Sequence, residues 1–361
     1  MKLQEVTLRK VCLPLIRPYV LSYRTFNELE PIIVEVRDND GRVGWREGHI
    51  SPGSSSETRD GGWTFCRKHA DVITGKRTED AKAIVAADMS DSKVAATALL
   101  TAIEMLEGHP LLDVADEVRL PLLAPFNSTR PNDIEMEVER RLEEGFRTVK
   151  IKVGKDAGAD LARVQAIQRA INGRATMRLD ANRAYTQADA CRFAAALDPS
   201  GIELFEQPCG AEDWDANANV AKVSAVPVML DEPICGLEDI ERAADIPNVG
   251  FCKLKLKRFG SLDALKQALE KVHELGMVAV LGDGLSSELG CWMEGCVGSR
   301  VIRNAGEFNG FLKPKTRLFA DPLRFVKGEL ILAPGFAPKI NGDVLAAHEF
   351  ACERFVAARA G

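Results

Sequence analysis

The chain has 361 residues, 46% of them apolar and 28% charged, with a formal net charge of -6; this supplies at least one large core and excludes a disordered or fibrous protein. Its longest apolar runs, such as Met277-Val278-Ala279-Val280-Leu281, fall far short of the roughly 20 residues that cross a bilayer. The acidic balance leaves no basic footprint for nucleic acid, so a small molecule is the expected partner. Lys2, Glu5, Arg9 and Lys10 interrupt any signal-peptide-like apolar stretch, and the 9 cysteines form no C-x-x-C pair. Reduced thiols and a cytoplasmic location are expected.

Two alternating stretches open the chain, Leu3 to Leu15 and Pro31 to Trp45, the second broken by a turn at Asp38-Asn39-Asp40-Gly41. Helical segments are expected around Gly62 to Thr74 and Ala81 to Gly108. Together these give an α+β domain over residues 1–115.

A repeat follows. A strand expected near Arg119 to Phe126 leads into Thr148-Val149-Lys150-Ile151-Lys152-Val153-Gly154, where two lysines share one face of a β-branched run. Later strands read Met177 to Asn182, Ile202 to Pro208, Val228 to Pro233, Val249 to Lys257, Val278 to Asp283 and Val301 to Glu307. From Lys152 the charges recur at Asp180, Glu206, Asp231, Lys255, Asp283 and Glu307, at intervals of 28, 26, 25, 24, 28 and 24 residues. Each interval fits one strand, one helix and two loops. The segments between agree, as with Leu161, Val164, Ile167 and Ile171 ahead of Asn172-Gly173. The pattern describes a closed parallel barrel over residues 116–313 with its odd charges at the strand ends, where such barrels hold their active sites. Residues 314–361 carry strand and turn signals but are too short to fold alone, and are expected to pack back on the first domain.

Asp180, Glu206 and Asp231 come from consecutive strands. Three carboxylates in one barrel mouth repel unless a cation lies among them, and a hard divalent ion such as Mg²⁺ suits an all-oxygen set. Lysines stand on either side: Lys150 and Lys152, then Lys253, Lys255 and Lys257. Burial and nearby positive charge are expected to make such a lysine a base near neutrality, able to take the proton α to a carboxylate while the metal carries the developing charge.

The Lys-x-Lys strand, the strand ends Asp180-Ala181-Asn182, Glu206-Gln207-Pro208 and Asp231-Glu232-Pro233, the segment from Leu254 to Gly260 and Gly306-Glu307-Phe308-Asn309-Gly310 together resemble the enolase superfamily, muconate-lactonizing-enzyme subgroup. The resemblance covers nearly the whole chain. It implies an α/β fold, a modified TIM barrel of (β/α)7β form with an α+β capping domain built from the N-terminal region and the C-terminal tail. It also implies Mg²⁺, with Mn²⁺ as a substitute, and a Lys or His base.

Carried over, Lys152 and Lys255 are the bases, Lys150 is the partner of Lys152, and Asp180, Glu206 and Asp231 are the metal ligands. Glu307, Asn182, His49 and Asp283 are candidate substrate contacts. Lys253 and Lys257 share the parity of Lys255, and only the alignment with Gly260 selects between them. Val43-Gly44-Trp45-Arg46-Glu47 resembles the family's cap turn, with Arg46 in place of a small residue. Pro18 to Arg24 is the other expected specificity loop. No histidine stands at a strand end, which favours a lysine–lysine site over a mandelate-racemase-like one. No Asp-x-Asp follows at the eighth strand, which disfavours a dipeptide substrate. The reading is an isomerase of a small carboxylic acid acting through an enediolate, in a dimer or octamer. A dehydratase or succinylbenzoate-synthase-like lyase is the alternative, and a silent binding barrel is the rival from another class.

Overall fold

The computed structural model describes residues 1–21 and 24–358. Five strands open it, β1 (Leu3–Val11), β2 (Leu13–Val20), β3 (Thr25–Leu29), β4 (Ile32–Asp38) and β5 (Val43–Gly48), followed by helices α1 (Arg59–Ile73), α2 (Thr78–Ala87) and α3 (Lys93–Glu107). The turn between β4 and β5 is fixed by its first residue, since the Asp38 carboxylate accepts the N–H groups of Asp40 at 2.9 Å and Arg42 at 2.8 Å. Alternation then does the packing. Leu3, Val6, Val34 and Val36 face Phe65, Leu99 and Ile103 in one buried cap core.

Beyond the cap, the stretch expected as one strand divides into β6 (Val118–Pro121) and β7 (Ala124–Phe126). Alternating units follow: α4 (Pro131–Glu143), β8 (Thr148–Lys152), α5 (Ala157–Ile171), β9 (Thr176–Asp180), α6 (Gln187–Ala195), β10 (Ile202–Glu206) and α7 (Trp214–Val223). The series runs on through β11 (Val228–Leu230), α8 (Leu237–Ala244), β12 (Val249–Leu254), α9 (Leu262–Glu274), β13 (Val278–Leu281) and α10 (Glu288–Gly298). Strands β7 to β13 lie side by side in chain order and pair in parallel as one 7-stranded sheet. The helices cover its outer face, so the outward Val149 and Ile151 are buried in the main core.

The eighth place in the ring differs from expectation. Val301 to Glu307 is not a strand along its length; only Gly306 and Glu307 bridge the gap. Glu307 N–H donates to the Leu281 carbonyl on β13 at 2.8 Å, while Gly306 gives its N–H to Pro121 at 2.8 Å and accepts from Leu123 at 3.1 Å. Gly282 sits at φ 122°, and a Cβ there would run into the main chain of Phe308. The closure is therefore tight but short. The chain ends with β14 (Arg324–Val326), β15 (Glu329–Leu332), α11 (Gly342–His348) and β16 (Glu349–Val356). Strands β14 and β15 join β6 in a small antiparallel sheet, whereas β16 pairs antiparallel with β1 at the edge of the cap.

Candidate active site

Period-two alternation decides what faces the barrel axis. Leu204, Met229 and Val280, with Phe251 against them, form a small apolar plug inside the ring. One step further along the same parity come Glu206, Asp231 and Lys253, so the inward face turns from apolar to charged at the C-terminal ends of the strands. A cavity of about 290 Å³ opens there, between those ends and the cap loops. Lys150, Lys152, Asp180, Asn182, Asp231, Lys255, Asp283 and Glu307 line it.

On one wall, Lys150 Nζ lies 2.9 Å from Asp180, 2.7 Å from Glu206 and 2.8 Å from Glu307. Lys152 Nζ lies 2.5 Å from Asp180 Oδ2 and donates to Asn182 Oδ1 at 2.8 Å. Asn182 is at φ 44°, and its N–H donates back to Asp180 Oδ1 at 2.9 Å, which holds the strand end in a tight turn. On the other wall, Lys255 Nζ donates to Asp231 Oδ2 at 2.8 Å, and Arg258 Nη1 lies 3.0 Å from Asp231 Oδ1. Lys253 pairs with Glu307 below, and Lys257 pairs with Asp283 at the rim.

The ammonium groups thus already separate the carboxylates. Burial opposes ionisation of Asp180, but Lys150 and Lys152 hold it below the usual carboxylate range. Burial likewise opposes Asp231, and Lys255 with Arg258 holds it low. Glu206 goes the other way, raised by burial and then by the charge of Asp180. Glu232, beside Asp231, is pushed up to about 7 by burial and by Asp231 itself. The expected lowering of the base lysine does not occur at Lys255: burial works in that direction, but the Asp231 carboxylate overrides it and the ammonium form is favoured. Lys253 is lowered by burial, and so is Lys313.

Four expected residues sit apart from the cavity surface or from the described chain. Glu206 lies beneath Lys150, 1% exposed. His49 is buried behind Ser51, its Nδ1 3.1 Å from the Ser51 hydroxyl, and burial with the charge of Lys257 pushes it down to about 3. It is a neutral wall residue that does not line the cavity. Of the loop Pro18 to Arg24, Ser22 and Tyr23 lie outside the described residues.

Other lining residues carried no assigned role in the sequence. Arg258 and Glu232 stand inside motifs already quoted, so their positions were visible and their contacts were not. Tyr19, inside the expected specificity loop Pro18 to Arg24, lines the same cavity from the cap. Lys313 lies 4.9 Å from the Tyr19 ring and donates to Gly284 O at 2.7 Å and Asn309 Oδ1 at 2.8 Å. Nothing in the barrel period points to it.

Among the described residues, no group of three or more His, Cys, Asp or Glu side chains is already gathered as a metal shell. The oxygens nevertheless fit a hard divalent cation. Both Oε atoms of Glu206 and Oδ1 of Asp231 are buried and receive no hydrogen bond from the described residues, although cations stand beside them. Buried carboxylate oxygens left in that condition are costly without a further positive partner. Asp180 on β9 supplies the adjoining all-oxygen donor.

Residues 133–343 match the family described as Enolase C-terminal domain-like. Over 305 residues the chain is 26% identical to L-Ala-D/L-Glu epimerase of Bacillus subtilis (strain 168), covering 80% of this chain and 83% of that protein. It is 28% identical over 305 residues to o-succinylbenzoate synthase of Geobacillus kaustophilus, covering 80% and 79%. The structure of muconate lactonizing enzyme from Pseudomonas fluorescens, complexed with muconolactone, superposes with a TM-score of 0.86 at 23% identity, over 97% of this chain and 99% of that one. With the family match spanning well over half its length, the chain belongs to the enolase superfamily, among the isomerases and lyases of the mandelate racemase and muconate lactonizing enzyme family.

Proposed function

We propose that this enzyme removes the proton α to the carboxylate of a small acid, through an enediolate, as an isomerase: a racemase or epimerase that returns a proton to the α-carbon, or a cycloisomerase in which the electron pair forms the α–β double bond as the β bond of the ring breaks onto its oxygen. One observation carries the reading. In a ring closed by the bridging residues 306 and 307, β8 and β12 occupy the second and sixth of eight places, so Lys152 and Lys255 face each other across the barrel. The three candidate ligands fill the arc between them.

Asp180, Glu206 and Asp231 would hold Mg²⁺, or Mn²⁺ in its stead. When bound, that ion supplies positive charge for the substrate carboxylate and for the negative charge that grows on it. Lys152 and Lys255 each hold or take a proton at one face of the α-carbon. Asn182 fixes the Lys152 ammonium by accepting from it. Lys150, shared among three carboxylates, would meet the acid group of the substrate. Glu307 and Asp283 border the remainder of the molecule, each held by a lysine.

Asn309 stands where a second acid would grip a substrate ammonium, and its amide is spent on Leu123 O at 2.7 Å and on Lys313. That argues against a dipeptide. The similarity to a succinylbenzoate synthase supports the second reading, a lyase at the same site. All nine cysteines are free thiols, which supports a reducing cytoplasmic setting; the resemblance to the family is the ground for reading the chain as a dimer or octamer.

The test is a panel of carboxylic acids incubated in D₂O with Mg²⁺ and followed by proton NMR for loss of the α-proton signal. Exchange on at least one acid, abolished in Asp180→Asn and Asp231→Asn together with calorimetric Mg²⁺ binding, is expected. Mg²⁺ affinity unchanged in both variants overturns the ligand assignment. Exchange that persists in the double variant Lys152→Ala with Lys255→Ala overturns the reaction.

A further inference from the structure

Arg46 is the position at which the chain departs from the cap turn it resembles, and the structure buries it. It lies on β5, 4% exposed, and among the described residues no hydrogen-bond partner accepts from its Nε or Nη1. Helix α10 is pressed against it: a Cβ on Gly290 would stand 3.2 Å from Arg46 Nη1 and would collide with Ser286 and Glu47. Four residues further, on the same face of α10, is Glu294, 2% exposed. Glu294 Oε1 accepts the N–H of Leu256 at 2.9 Å, and its Oε2 accepts the N–H of Asp283 at 3.2 Å. One carboxylate thus ties together the ends of β12 and β13, immediately after Lys255 and at Asp283.

That carboxylate is in an unfavourable place. Burial and the charge of Asp283 push it up to about 7, while Arg46 acts to keep it ionised. An ionised Glu294 accepts both N–H bonds most strongly, and a buried charge is tolerated only with a compensating one nearby.

We propose that Arg46 is a positioning residue, a cap-borne counter-charge for Glu294 that fixes the main chain at Leu256 and Asp283 and so the wall of the cavity carrying Lys255. For Lys255 this rests on the proton-transfer reading given above. The geometry of the strand ends does not, and the principal readout needs no substrate.

Hydrogen–deuterium exchange with mass spectrometry on the full chain would follow peptides spanning 249–260 and 278–285. In Arg46→Met these should lose protection about tenfold or more, while peptides from β8 to β10 keep theirs; Arg46→Lys should keep wild-type protection. The double variant Arg46→Met with Glu294→Gln should recover protection in one of the two peptides, because the neutral amide oxygen still accepts one N–H and needs no counter-charge, while its NH2 group cannot accept the other. On an acid that shows α-proton exchange, Arg46→Met should lower kcat by about 10²-fold with little change in KM, the scale expected for a misplaced catalytic group. Unchanged protection in Arg46→Met overturns the proposal, as does a loss spread evenly over the chain. If Arg46→Met does not fold, the double variant decides: folding with one of the two strand ends protected supports the proposal, and failure to fold overturns it. A chain inactive on every acid, but with this protection pattern, leaves the positioning role standing and sinks the function.

Discussion

Glu47 of the cap closes the N-terminus of the last barrel helix by accepting the Ser287 N–H on its Oε1 at 2.7 Å. The same oxygen takes the Ser286 hydroxyl at 2.6 Å and the Gly290 N–H at 3.1 Å. A carboxylate there satisfies free N–H groups and meets the positive end of the helix dipole. It also makes docking of the cap a condition for finishing α10. Glu47→Ala should cost about 2–3 kcal/mol, since buried donors lose a charged acceptor, and Glu47→Gln should cost less. Urea unfolding measures both, and an Ala variant as stable as the wild type would show that the cap is not pinned through this residue.

Most of the barrel was legible because its physics is periodic. A charge that recurs every 24 to 28 residues at the end of a β-branched run places itself on a strand end, and parity turns it inward. The contacts between cap and barrel have no such period. Arg46 and Glu294 are 248 positions apart, and only the folded chain brings them together. The run from Val301 to Glu307 misled for a related reason: apolar residues suggest a strand, but two bridging residues suffice to close the ring. The direction of the Lys255 shift was illegible as well, because it depends on which carboxylate the ammonium meets.

Lys253 is 1% exposed and pairs with Glu307, which Lys150 also contacts at 2.8 Å. Removing one partner of a buried pair leaves the other charge uncompensated, typically at about 3–5 kcal/mol; Lys150 remains here, so Lys253→Met should fall near the lower end. Lys253→Met with Glu307→Gln should cost less than the sum of the two single changes. Additive costs in urea titrations would mean that the two side chains do not act as a pair.

Glu104 on α3 repeats the theme of a cap carboxylate on a barrel helix, accepting the Leu262 N–H at the start of α9 at 3.0 Å. Burial pushes it up to about 7 from 4.5, although Leu262 opposes the shift. The folded chain therefore binds this proton more tightly than the unfolded chain. Its stabilising contribution is full below about pH 4.5 and is lost as pH rises through about 7. Between pH 5 and 8 the wild type should lose up to about 3 kcal/mol relative to Glu104→Gln. Melting temperatures of the two proteins that run parallel across that range would rule this out.

The two facing lysines distinguish the possible reactions. If the enzyme racemises or epimerises its substrate, each lysine serves one face of the α-carbon, so Lys152→Ala and Lys255→Ala should both abolish turnover. Each variant should still exchange the α-proton of the one stereoisomer that faces the surviving lysine. In a cycloisomerase or a syn-eliminating lyase a single lysine moves the proton and the other acts through its charge, and exchange should vanish in one variant only. Loss of a general base costs about 10²- to 10⁴-fold, so exchange in D₂O resolves the cases. Lys253 and Lys257 provide the internal check, because each is held by a carboxylate away from the α-carbon's expected place. Full activity in Lys255→Ala with a dead but folded Lys253→Met or Lys257→Ala would shift the acting lysine by two residues along its strand, down toward the plug or up to the rim.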